Sequence, residues 1–151
     1  MIEIEEQRPI ARWGLDGFLN HEGEYFPAAF ADRWSELARL EGPEGSEHDM
    51  TRRYQSLEAL LESTGLQVVA LHEDSLGQVS AELHNGVLLA LGADHHRERI
   101  GRFVALWGEQ LSQQPVMRVD MRYEHGAAVA LLPTSQWAVG DFSAANWQET
   151  P

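Results

Sequence analysis

The chain has 151 residues, 43% of them hydrophobic and 23% charged, which suits one compact domain able to bury a sizeable core. Acidic residues outnumber basic ones 24 to 11, a formal charge of −13, and every basic residue is an arginine. So acidic a surface repels phosphate and argues against nucleic acid and anionic membrane as partners. The absence of cysteine excludes disulfides, thiolate-bound zinc, iron–sulfur clusters and thiol nucleophiles together.

No apolar run approaches the ~20 residues needed to span a bilayer. Met1 is followed by Ile-Glu-Ile-Glu-Glu, a strand-like alternation and not a signal peptide. Two expectations are open here: a cytosolic protein, or a piece of a longer one whose targeting segment lies elsewhere.

Ile2 to Glu6 alternates apolar and acidic residues with period two, as a half-exposed strand does. Pro9 to Trp13 is a second short extended piece. Phe18 to Phe26 reads as a hairpin, with Gly23 where a positive φ is needed. A looser stretch follows, and Gly42-Pro43-Glu44-Gly45-Ser46 marks a loop.

The spacing of Met50, Tyr54, Leu57, Leu60 and Leu61 predicts a helix over about Asp49–Ser63. Ser46 or Asp49 is placed to cap its start and Gly65 its end. Three strands are predicted next: Leu66–His72, Gln78–His84 and Val87–Leu91. His84-Asn85-Gly86 supplies a tight hairpin turn between the last two. A second helix is predicted over Asp94–Gln113, with Ile100, Phe103, Val104, Trp107 and Leu111 as its apolar stripe and Asp94 as its N-cap. Gly101 and Gly108 each weaken that helix by ~1 kcal/mol, which predicts close packing at both positions. Val116–Arg122 alternates, Tyr123-Glu124-His125-Gly126 turns, and Ala127–Leu132 runs apolar up to Pro133. The remaining residues show no period and read as a loose tail. Repeats and low-complexity blocks are absent. The order of elements predicts an α+β fold: an antiparallel or mixed sheet with two helices packed on one face.

The seven histidines invite a metal hypothesis. The densest clusters are Asp94-His95-His96 with Glu98, and His72-Glu73-Asp74. His95 and His96 are adjacent, about 100° apart on a helix, so they do not both face one site, and no His-Glu-x-x-His occurs. The plainer reading is a solvated helix start whose acids favour the positive end of the dipole. Gly-x-Ser-x-Gly is missing, and the Gly-Pro-Glu-Gly loop carries a glutamate where a phosphate cradle wants bare amides. Among 24 carboxylates, acidic pairs carry little information. No catalytic residue, metal or cofactor is expected. The alternative is a small metal- or carboxylate-dependent hydrolase built on Asp94, His95, His72 and Glu73.

Gly126-Ala127-Ala128-Val129-Ala130-Leu131-Leu132 is free of charge. At a sheet edge it would lack the devices that normally blunt edges. In mid-sheet it would be buried on both faces. Composition leaves the two placements even.

Several motifs, taken in order, resemble the periplasmic region of the bacterial FtsQ/DivIB cell-division family. They are Glu6-Gln7-Arg8-Pro9-Ile10-Ala11-Arg12-Trp13, the Phe18–Phe26 hairpin and Leu40-Glu41-Gly42-Pro43-Glu44-Gly45. Leu89-Ala90-Leu91-Gly92 leading into Arg99-Ile100-x-Arg102-Phe103 is a further one. The last is Arg118-Val119-Asp120-Met121-Arg122-Tyr123-x-x-Gly126-Ala127-Ala128-Val129. The match spans about Glu3 to Pro133.

The resemblance implies residues 1–8 as the end of a POTRA-like domain, 9–133 as the family's β-domain and 134–151 as a tail. It implies a non-enzymatic divisome scaffold at the septum, anchored in the inner membrane by one helix absent from this chain, with this domain in the periplasm. It implies FtsB, in complex with FtsL, as partner, an FtsB segment adding as a strand to the last strand. The partner-binding residues it points to are Arg122, Tyr123, His125, Gly126, Ala127, Ala128, Val129, Ala130 and Leu131. Arg122 matches an arginine that pairs with partner acids, and Leu131 stands where some relatives have tryptophan. A second such arginine, expected near Leu76-Gly77, is not found.

Overall fold

The computed structural model describes residues 8–15, 17–27 and 36–132. The Ile2–Glu6 strand and the tail from Pro133 onward lie outside them. The described elements are β1 (Ala11–Trp13), β2 (Gly17–Leu19), β3 (Tyr25–Pro27), β4 (Arg39–Glu41), α1 (Glu47–Leu61), β5 (Val68–Glu73), β6 (Val79–Leu83), β7 (Leu88–Gly92), α2 (His96–Leu106), β8 (Val116–Asp120) and β9 (Ala128–Leu131). Among the described residues they form one mixed sheet in the order β3-β2-β1-β4-β5-β6-β7-β8-β9. β1–β4, β4–β5 and β7–β8 are parallel, and the other pairings are antiparallel. The fold is α+β, as the order of elements predicts.

Register explains the core. Trp13, Leu40, Leu71, Ala81, Leu89, Val119 and Val129 are successive cross-strand partners, and all but the half-buried Trp13 are buried. The apolar stripes of both helices belong to this same core: Met50, Leu57 and Leu61 from α1, and Ile100 and Phe103 from α2. Each such side chain contributes about 1.5–3 kcal/mol by leaving water. Because side chains alternate along a strand, the next rung turns the other way. Arg39, Ala70, Glu82, Leu88 and Arg118 form that rung, and they are partly or fully exposed.

Three local expectations differ from the structure. Ser46 sits at the N-cap of α1, but its hydroxyl turns back to donate to Pro43 O at 2.6 Å, and Asp49 lies within the first turn. His95, not Asp94, is the N-cap of α2, in a left-handed conformation with φ +55°; Asp94 instead lies 3.4 Å from Arg99 Nη2. Gly101 and Gly108 are exposed with nothing close to where a Cβ would stand. They cost helix stability without a packing return, and α2 gives way to a wide π-type turn over Trp107–Leu111, which holds Gly108.

Candidate partner-binding edge

β9 has only β8 as a neighbour among the described residues, so the apolar segment lies at an edge. Its direction of hydrogen bonding follows from one contact. Leu132 N–H donates to Pro115 O at 2.8 Å, towards β8. Backbone groups alternate sides along a strand, so Ala128 and Ala130 also turn inward. Val129 and Leu131 turn their N–H and C=O outward, away from β8.

The side chains behave differently from the backbone. Ala128, Val129 and Leu131 are buried, and only Ala130 is partly open. What β9 offers outward is therefore peptide, not side chain. Beside it, on the helix side, runs a groove of about 290 Å³ whose lining includes Leu106, Leu111, Met121, Ala127 and Val129.

The β8–β9 connection carries the polar residues. Arg122 is held by Asp120: Nε donates to Oδ1 at 2.8 Å and Nη2 to Oδ2 at 2.6 Å, while Arg122 N–H also reaches Oδ1 at 3.1 Å. Burial pushes the Asp120 carboxyl up, but the hydrogen bonds and charge of Arg122, with Arg118 further off, outweigh it and hold the group below the usual carboxylate range. The same bonds raise Arg122. Half of the Arg122 side chain still faces solvent. Tyr123 is half-buried, His125 exposed and Gly126 half-buried; the carbonyls of Tyr123 and Gly126 both accept from Arg102.

Sequence reasoning missed Asp120 and Arg102. The two-residue spacing of Asp120 and Arg122 was the available signal, since i and i+2 share a strand face. Arg102 lies in the Arg99-Ile100-x-Arg102-Phe103 motif, but which carbonyls it meets depends on tertiary packing. Near the expected second arginine, Asp74 folds a tight turn: its Oδ1 accepts from Leu76 N–H at 2.8 Å and Gln78 N–H at 2.9 Å. That turn leaves Leu76 exposed and lies at the same end of the sheet as Arg122.

The hydrolase residues are dispersed. His72 faces Glu41 at 3.4 Å, Glu73 is paired with Arg53 at 2.8 Å, and His95 lies loosely beside Asp94 and Glu98. Among the described residues no three His, Asp or Glu side chains are placed to share a metal ion, and no helix is long and apolar enough to cross a membrane.

Comparison with known proteins bears on this arrangement. The profile of the family described as "Cell division protein FtsQ/DivIB, C-terminal" matches residues 11–122. The chain is 37% identical over 149 residues to a "Cell division protein FtsQ" of Cellvibrio japonicus, covering 97% of this chain and 44% of that protein. It is 33% identical over 138 residues to the protein of the same name from Allochromatium vinosum, covering 91% and 56%. With the Shewanella oneidensis protein it shares 32% over 129 residues, covering 85% and 49%. The chain spans about half the length of the curated relatives it matches. A profile match over most of the chain, with these identities and the fold just described, leads to one conclusion: the chain belongs to the FtsQ/DivIB family of cell-division proteins.

Proposed function

We propose that the chain is a non-enzymatic divisome scaffold that binds FtsB, in complex with FtsL, by accepting an FtsB strand alongside β9. The observation carrying this reading is the outward-turned backbone of Val129 and Leu131 on a strand without charge or lysine. An added strand would satisfy those groups, and its alternate side chains would reach the groove lined by Leu106, Leu111 and Met121. The contact residues are Arg122, Tyr123, His125, Gly126, Ala127, Ala128, Val129, Ala130 and Leu131. Arg122 reaches a partner acid only by sharing or leaving Asp120, so that contact exchanges one ion pair for another.

The domain reading goes with this function: residues 1–8 close a POTRA-like domain, 9–133 form the β-domain and 134–151 a tail. The chain's share of its relatives' length supports a protein that is longer in the cell. That longer protein is placed in the inner membrane by a single helix, with this domain in the periplasm and enriched at the septum.

Calorimetric titration of the chain with the FtsB periplasmic segment tests the reading. Binding is expected, together with its loss in Val129→Pro, which removes an outward N–H while leaving the inward ladder to β8 in place. An absence of binding, or a Val129→Pro variant that folds and binds normally, overturns it.

A further inference from the structure

Arg102 of α2 lines the groove beside β9 and also touches the start of the docking edge. Its Nη1 donates to Gly126 O and its Nη2 to Tyr123 O, both at 3.0 Å. One planar fork thus spans both ends of the turn that leads into β9. Its Nε is buried and has no hydrogen-bond partner among the described residues, so the guanidinium is spent on these two carbonyls. One helical turn earlier, Arg99 secures the adjoining chain: Nη1 donates to Leu91 O at 2.6 Å and Nη2 to Arg122 O at 3.4 Å. In a chain of 24 acidic residues, two arginines on one helix face donate to four backbone carbonyls along a single sheet end. That use of scarce positive charge fixes backbone geometry.

We propose that Arg102 is a positioning residue for the incoming strand. By pinning Tyr123 and Gly126 to α2, it sets where β9 begins and keeps the outward groups of Val129 and Leu131 in place for pairing. The proposal rests on β9 being the docking edge. Without Arg102 the two carbonyls can turn to water, so the fold loses little while the turn samples other conformations. Apparent affinity then falls with the fraction of molecules whose edge is correctly presented. A bound strand would itself hold β9, so the loss belongs to association and not to dissociation. Lysine carries a point charge without the planar fork, so it reaches one carbonyl and restores part of the effect.

The test compares the full chain with Arg102→Ala and Arg102→Lys, measuring association and dissociation rates for a synthetic FtsB periplasmic peptide, with thermal unfolding alongside. Arg102→Ala is expected to associate about tenfold more slowly, with dissociation and melting temperature nearly unchanged and Arg102→Lys in between. If the alanine variant does not fold, the lysine variant carries the test alone, with association about threefold slower. A variant that binds at the wild-type rate overturns the proposal and leaves the docking reading intact. So does a loss that merely follows a lowered melting temperature and is not relieved by lysine. Failure of the wild-type chain to bind the peptide overturns the docking reading, and this proposal with it.

Discussion

Asp120 and Arg122 stand two residues apart at the end of β8 and hold each other through two side-chain hydrogen bonds of 2.8 and 2.6 Å. The carboxylate is buried and the guanidinium is half in solvent, so the acid depends on the arginine more than the reverse. A carboxyl whose folded pKa lies below its unfolded value adds stability above that unfolded value and loses it as pH falls through the folded one. Asp120 is such a group. Stability is therefore expected to drop on acidification below about pH 4, read by urea midpoints from pH 7 to pH 2. Asp120→Asn should remove that component and cost about 1 kcal/mol at neutral pH, a figure discounted for the solvent around Arg122.

Gly92 ends β7 with φ +82°, and a Cβ there would meet the Arg99 guanidinium and, at 3.1 Å, Arg122 Cγ. Gly92→Ala combines left-handed strain with displacement of the arginine that binds Leu91 O and Arg122 O. The expected loss is about 2 kcal/mol in chemical denaturation.

His95 adopts φ +55° at the start of α2 while its ring makes only long contacts, 3.9 Å to Asp94 and 4.0 Å to Glu98. Little is lost when that ring is removed. His95→Gly is expected to stabilise the chain by about 0.5–1 kcal/mol, raising the melting temperature in calorimetry.

Leu88 and Leu89 are neighbours in β7 on opposite faces of the sheet. Leu89 is fully buried and Leu88 is 42% exposed. Leu89→Ala should cost about 3 kcal/mol, whereas Leu88→Ala should stay within about 0.5 kcal/mol. Equal losses would mean that the outer face is covered in solution.

The dispersed residues His72, Glu73, Asp94 and His95 offer a further check. His72 and Glu73 go to Glu41 and Arg53, while Asp94 and His95 make only a long contact with each other, Asp94 also lying beside Arg99. Zinc at micromolar concentration is therefore expected to leave the melting temperature unchanged. A stoichiometric rise would revive metal chemistry.

What could be read from the sequence follows the range of the forces involved. The hairpin at Gly23 and the Asn85-Gly86 turn are local, and both glycines take the expected positive φ, +82° and +95°. α2 lies within its predicted span and α1 starts two residues before its own, because the periodicity of Met50 to Leu61 and of Ile100 to Leu111 is a property of the segment itself. β4 was not anticipated: Arg39-Leu40-Glu41 is too short for a period, and it is a strand only because β1 and β5 pair with it in parallel. The α2 cap was misplaced because Asp94 is drawn to Arg99. At the edge, the neutral run of β9 was legible, but its position was not. The Asp120 and Arg102 contacts depended on geometry that residue spacing only partly encodes.

The parallel joint between β7 and β8 also has a mechanical consequence. Leu88, Leu89 and Ala90 are matched to Arg118, Val119 and Asp120, and this ladder ties the terminal hairpin to the rest of the sheet. A strand added along β9 would run alongside β7 and β8, at right angles to these rungs. Tension along that strand would then load the hydrogen bonds together in shear, instead of peeling them one after another. An added strand held this way would come away more easily sideways than under a lengthwise pull.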